Sequence, residues 1–129
     1  MKLPIQLSKE SREPIYHQIE QQIKTLIASG QLKAGTSLPS IRALSKDLEV
    51  SVITTRRVYQ NLEMAGFIQT VQGKGTFVAD VDGTLKNEVK ESSVIQAFEQ
   101  AIDIALHYNY TVKQLEEMFR DILGRKTGN

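Results

Sequence analysis

The chain has 129 residues, enough for one ordinary domain or two very small ones, and too few for a large enzyme fold with its own cofactor domain. Its 16 Lys+Arg stand against 15 Asp+Glu, with 40% hydrophobic and 24% charged residues, the profile of a soluble globular chain. Cysteine is absent, which excludes disulfides, thiolate zinc sites and cysteine nucleophiles. No apolar run approaches the roughly 18 residues of a membrane span, and MKLPIQLSKE has no apolar signal core, so a cytoplasmic protein with no membrane partner is expected.

The first periodic segment runs over 11–29, with Ile15, Ile19, Ile23, Leu26 and Ile27 on one helical stripe and Tyr16 at its edge. Pro14 suits an early helical position, where a missing N–H costs nothing, and Gly30 supplies the stop. After a turn with Gly35 and Pro39, a short helix over 40–48 puts Ile41, Leu44 and Leu48 on one face. Ser51 is placed to cap a third helix reaching Ala65, with Val58, Tyr59 and Leu62 as its core face and Gly66 after it. The period then changes. Phe67-Ile68-Gln69-Thr70-Val71 and Thr76-Phe77-Val78-Ala79 flank Gln72-Gly73-Lys74-Gly75, which reads as a β-hairpin.

The stretch 80–91 is polar and contains Gly83, so it reads as an acidic flexible linker. Helical period resumes with Val94, Ile95, Phe98, Ala101, Ile102, Ala105 and Leu106, and Asn109 ends that helix. Thr111 and Gln114 form a capping-box pattern for a last helix lined by Leu115, Met118, Phe119, Ile122 and Leu123, with Gly124 closing it. Two helices of this size cannot bury both stripes against each other, so a partner chain is the expected cover.

The near-zero net charge is a cancellation. Residues 1–79 hold ten basic and six acidic side chains, a balance of +4, whereas 80–129 hold six and nine, a balance of −3. Such asymmetry points to a nucleic-acid-facing part and a part with another job.

Three helices and a hairpin in under 80 residues form the winged helix-turn-helix layout, with Glu49-Val50-Ser51 as the short turn. The runs Pro14-Ile15-Tyr16-His17-Gln18-Ile19, Gly30-Gln31-Leu32-Lys33-Ala34-Gly35 and Leu38-Pro39-Ser40-Ile41-Arg42 resemble the GntR family of bacterial transcription regulators. So do Leu62-Glu63-Met64-Ala65-Gly66-Phe67-Ile68 and Gly73-Lys74-Gly75-Thr76-Phe77-Val78. The short helical C-terminal part resembles the YtrA-type branch. The resemblance implies a dimeric repressor, often of operons encoding ABC transporters, and DNA contacts at Arg42, Ser51, Thr54, Arg56 and Gly73.

The physics of groove binding gives the same face. A recognition helix presents its first turn to base edges, here Ser51, Val52, Ile53, Thr54 and Thr55, with Arg56 and Arg57 one turn on. Arg42 is placed to meet a phosphate or guanine edge, and Lys74 between glycines can approach the backbone or minor groove. Many GntR members carry arginine after the serine; here Val52 and then Ile53 stand instead, and apolar side chains there either contact thymine methyls, favouring an A·T-richer operator step, or, for Val52, pack on the preceding helix. Arg57 lies about 100° further around than Arg56, facing phosphate or an acidic neighbour.

Two other chemistries are weighed and set aside. His17 and His107 fall in different segments with no partner four residues away, so no metal site is expected. Asp80-Val81-Asp82-Gly83-Thr84-Leu85 resembles the first motif of haloacid-dehalogenase-type phosphatases, but only two helices follow it, too little for that fold. It also begins like a calcium loop, with Glu91 as the last ligand, but Leu85 occupies the glycine position.

The expected protein is mainly α with a small β-hairpin: a winged helix-turn-helix over 1–79, a linker over 80–91 and a two-helix dimerisation unit over 92–129. It is expected to be no enzyme and to need no cofactor. Its DNA-binding residues are Arg42, Ser51, Val52, Thr54, Thr55, Arg56, Arg57, Gly73 and Lys74. Its partners are a double-stranded inverted-repeat operator and a second copy, with room for a small-molecule effector that no residue cluster marks.

Overall fold

The computed structural model describes residues 2–128. The element order is α1 (Ile15–Ala28), α2 (Ile41–Leu48), α3 (Val52–Met64), β1 (Ile68–Val71), β2 (Gly75–Val78), α4 (Gly83–His107) and α5 (Val112–Thr127). These elements fall into two compact units divided between Lys90 and Glu91.

In the first unit the isoleucine stripe of α1 is the centre of the core. Ile19, Ile23 and Ile27 are buried together with Leu44 of α2, Val58 and Leu62 of α3, and Phe67, Ile68 and Val78 of the hairpin. At roughly 25 cal/mol per Å² of apolar surface removed from water, this shared cluster is the main force holding three helices and a hairpin together. α1 begins later than its stripe suggests. Pro14 is the N-cap, with φ −56 and ψ 148, and not a helical residue. The chain before it is pinned along α1 instead. The buried Gln18 side chain accepts from Ser8 N and donates to Ser8 O and Glu13 O, each at 2.9 Å, and Leu3 is buried in the core. This strap carries no periodicity, so it left no trace in the sequence pattern.

Both helices of the helix-turn-helix are capped by serine: Ser40 accepts from Ala43 N and Ser51 from Thr54 N. Between them Glu49 takes the left-handed conformation, φ 57 and ψ 44, which turns the chain sharply enough for α3 to start after two more residues. Burial pushes the Tyr59 hydroxyl pKa above its ordinary value, and that hydroxyl donates to Pro39 O at 2.6 Å. The hydrogen bond ties α3 to the approach to α2.

The hairpin is antiparallel, pairing Ile68 with Val78, Gln69 with Phe77, Thr70 with Thr76 and Val71 with Gly75. Its second strand also bonds the α1–α2 connection, with Leu38 N donating to Thr76 O at 2.8 Å and Val78 N to Thr36 O at 2.9 Å. Glu63, near the end of α3, accepts from Thr70 N at 3.1 Å. The wing is thus anchored on both sides, and its tip glycines Gly73 and Gly75 sit at φ 79 and φ 119, where only glycine is unstrained.

The expected linker over 80–91 is a correction. α4 starts at Gly83, because the Asp82 carboxylate accepts from Leu85 N at 2.8 Å and Lys86 N bonds Asp82 O. Leu85 and Val89, four residues apart, pack against the core of the first unit, and Val81 is buried beside them. Two apolar residues in a polar stretch were too few to show as a period.

The second unit contains the remainder of α4 and all of α5. Asn109 at φ 62 makes the turn between them, and Tyr110 N returns to Ala105 O at 3.0 Å. The capping box at Thr111 is complete, with Gln114 N donating to Thr111 Oγ1 and Thr111 N to Gln114 Oε1. Phe98 and Phe119 meet with ring centres 5.7 Å apart. α5 does not stop at Gly124. It runs to Thr127, and Gly128 at φ 79 is its C-cap, since glycine inside a helix costs only about 1 kcal/mol. Neither α4 nor α5 has a buried residue.

Candidate nucleic-acid interface

Three elements of the first unit converge on one open groove of about 430 Å³. Arg42 enters from the first turn of α2, Val52 and Arg56 from α3, and Lys74, Gly75 and Thr76 from the wing. The serine caps fix where α2 and α3 begin, and therefore where Arg42 and Arg56 stand. The wing's bonds to the α1–α2 connection fix Lys74 opposite them. No acidic side chain lines the groove, and among the described residues no carboxylate pairs with Arg42, Arg56 or Lys74. Three uncommitted cations around a concave surface create a local positive potential suited to phosphate.

The other sequence-derived site residues separate into distinct environments. Ser51 is exposed, but its hydroxyl is committed to the cap and to Thr54 Oγ1 at 2.8 Å, which leaves Thr54 half-buried. Gly73 is exposed at the wing tip. Arg57 is exposed, and its guanidinium lies 3.7 Å above the centre of the Tyr16 ring, a neighbour the sequence did not announce. Thr55 is a correction: it is 0% exposed, and its hydroxyl accepts from Ser45 Oγ at 2.7 Å. A residue on the inner face of α3 cannot reach a base edge. Ile53, by contrast, is 76% exposed.

The layout of three helices, a short turn and an anchored wing around this groove can be compared with known proteins. Residues 15–78 match the family "Bacterial regulatory proteins, gntR family". The chain is also 33% identical to the HTH-type transcriptional repressor YtrA of Bacillus subtilis (strain 168), covering 92% of this chain and 91% of that one. The chain belongs to the GntR family. A solved GntR family transcriptional regulator from Listeria monocytogenes is 28% identical, with a TM-score of 0.67 over 87% of this chain and 97% of its own. The DNA-binding domain of AraR, solved in complex with operator ORX1, is 28% identical, with a TM-score of 0.54 over 61% of this chain and 99% of that domain. The likeness to the Bacillus repressor spans both units, whereas that to the AraR domain covers little more than half of the chain.

A GntR-family chain is a DNA-binding transcriptional regulator, not an enzyme, and the remaining motifs take structural roles. The Asp80-Asp82 pair belongs to the entry into α4, with Asp82 spent on its cap. His17 Nδ1 lies 3.5 Å from a Glu13 carboxylate oxygen. Among the described residues no group of three or more His, Asp or Glu is placed to hold a metal ion. No described helix is long and apolar enough to cross a membrane.

Proposed function

We propose that this GntR-family regulator is a repressor that binds an inverted-repeat operator as a homodimer. The observation that carries the reading is the meeting of Arg42, Arg56 and Lys74, from three separate elements, on one groove without a competing carboxylate. α3 enters the major groove with Val52, Ile53 and Arg56 toward the base edges, Arg42 meets phosphate or a guanine edge, and Gly73-Lys74 of the wing approaches the adjacent backbone or minor groove. Ser51 and Thr54 hold the first turn of α3 in shape, and Arg57 reaches phosphate from its seat on Tyr16.

Residues 1–79 are the DNA-binding part, and 92–129 the dimerisation part. Support for the latter lies in the apolar side chains of the second unit that stay in solvent: Phe98 is 45% exposed, Ile102 43%, Phe119 47% and Ile122 44%. Apolar surface of this extent on two adjacent helices fits a second copy of itself. The likeness to the Bacillus repressor across both units supports the repressor reading, and the resemblance to YtrA-type regulators points to an operon encoding an ABC transporter. The 92–129 part is also the region we assign to a small-molecule effector.

The test is selection of bound duplexes from a random library, followed by titration against the selected operator. An inverted repeat with half-sites about one helical turn or a multiple apart, bound with a steep salt dependence, is the expected result. Arg56→Ala weakens specific binding by roughly 1–3 kcal/mol if the arginine reads a base. An Arg56→Ala variant that binds as well as wild type overturns the placement of α3.

A further inference from the structure

We infer that Ile53 is a specificity residue that reads the C5 methyl group of a thymine in each operator half-site. The inference rests on the operator-binding reading above and deepens it.

Successive helical residues turn by about 100°, and on α3 the buried side is formed by Thr55, Val58, Tyr59 and Leu62. Ile53 lies almost diametrically opposite that side and is 76% exposed, whereas Val52 is 36% exposed and forms part of the groove wall. Ile53 therefore contributes nothing to the core. As a β-branched residue it is also a poor choice for an outward position on helical grounds alone.

The hydroxyls of the same turn are already occupied. Ser51 Oγ accepts from Thr54 N at 3.0 Å and pairs with Thr54 Oγ1 at 2.8 Å, and Thr55 bonds Ser45 inside the unit. The first turn of α3 thus spends much of its hydroxyl capacity on its own cap. It offers a branched apolar tip, Ile53, with Arg56 three residues on and on the same side. Arg42, Arg56 and Lys74 draw the phosphate backbone to this face, which carries the apolar tip into the groove with them. Within the major groove one base edge presents an apolar group, the thymine methyl, and the neighbouring arginine suits a guanine edge. The pair reads as a thymine close to a guanine within each half-site.

The test uses the full chain and the operator recovered from a random library. Each thymine is replaced singly by deoxyuridine, which removes the methyl and leaves every hydrogen-bonding group in place. Wild type loses about threefold to tenfold in affinity at one or two positions per half-site. Ile53→Ala, a change at a solvent-facing position, binds the thymine and deoxyuridine operators equally at those positions and keeps the wild-type salt slope, because no phosphate contact is removed. Wild-type indifference to methyl removal at every position overturns the inference. So does an Ile53→Ala variant that retains the penalty, the more clearly if Val52→Ala loses it. A library that yields no sequence preference overturns the operator reading itself, and this inference with it.

Discussion

Ser45 Oγ donates to Thr55 Oγ1 across 2.7 Å inside the first unit, and both residues are buried. Thr55 in turn lies within 3.4 Å of Ser51 O, one turn back on α3. The hydroxyl pair joins the middle of α2 to the start of α3 and so helps to set the angle at which the recognition helix leaves its scaffold. Thr55→Val removes the acceptor and leaves Ser45 less well satisfied, so the variant is expected to lose roughly 1–2 kcal/mol of stability in urea unfolding. Ser45→Ala combined with Thr55→Val recovers part of that loss, because no buried hydroxyl is then left short of a partner. Full-strength folding of Thr55→Val with a selective loss of DNA affinity would contradict the burial of this residue.

The sequence pattern disclosed Thr55 and Ile53 only as members of the same turn. Which of them faces outward depends on the rotation of α3, and that rotation is set by where Leu44, Val58 and Leu62 meet the stripe of α1. The α3 boundary itself was legible, because Ser51 is a cap and Gly66 lies just beyond the end. The convergence of Arg42, Arg56 and Lys74 was legible only as a list of cations, since three side chains more than ten residues apart meet through long-range hydrogen bonds such as Leu38 N to Thr76 O. The Asp82 cap, the packing of Leu85 and Val89 on the core and the Gln18 strap were not legible at all: each involves one or two side chains, and periodicity needs several.

Arg56 and Arg57 are adjacent in sequence and opposite in consequence. Arg56 lines the groove, whereas Arg57 sits 3.7 Å from the centre of the Tyr16 ring. Arg56→Ala is expected to leave thermal stability within about 0.5 kcal/mol of wild type, as for exposed positions generally, while lowering operator affinity. Arg57→Ala loses about 0.5–1 kcal/mol of stability, Tyr16→Ala loses more because its ring also packs against the core, and the double variant loses less than the sum of the two. Thermal unfolding of the four proteins checks the coupling, and a strictly additive double variant removes the stack from the account.

Tyr59 gives the first unit an alkaline limit. Burial disfavours the phenolate and raises the folded pKa above the unfolded value of about 10. The neutral phenol is therefore the form that folding favours. Its contribution to stability is complete below pH of about 10 and declines as pH rises beyond it, when the unfolded chain releases the proton more readily. Unfolding free energies measured from pH 8 to pH 11 are expected to fall above pH 10 in wild type. Tyr59→Phe lacks this component of the fall, and at neutral pH it loses about 1 kcal/mol from the missing hydrogen bond to Pro39 O. Equal alkaline slopes in the two proteins would show that Tyr59 does not carry the effect.

The dimer reading makes its own demand on the second unit. Ile102 of α4 is 43% exposed and Ile122 of α5 44%, on helices that bury no residue within one chain. Placing a carboxylate at either position puts an unpaired charge into the proposed interface, where desolvation penalises it, but leaves it in water in the isolated chain. Sedimentation velocity at micromolar concentration is expected to give a dimer for wild type and a monomer for Ile102→Glu and Ile122→Glu, with helix content by circular dichroism unchanged. Operator affinity then falls by roughly a hundredfold, because the second half-site is no longer engaged as an effectively intramolecular event. The loss should be confined to operators with two half-sites, and binding to a single half-site should be the same for all three proteins. A monomeric wild type overturns the dimer, and a variant that stays dimeric moves the interface off this face.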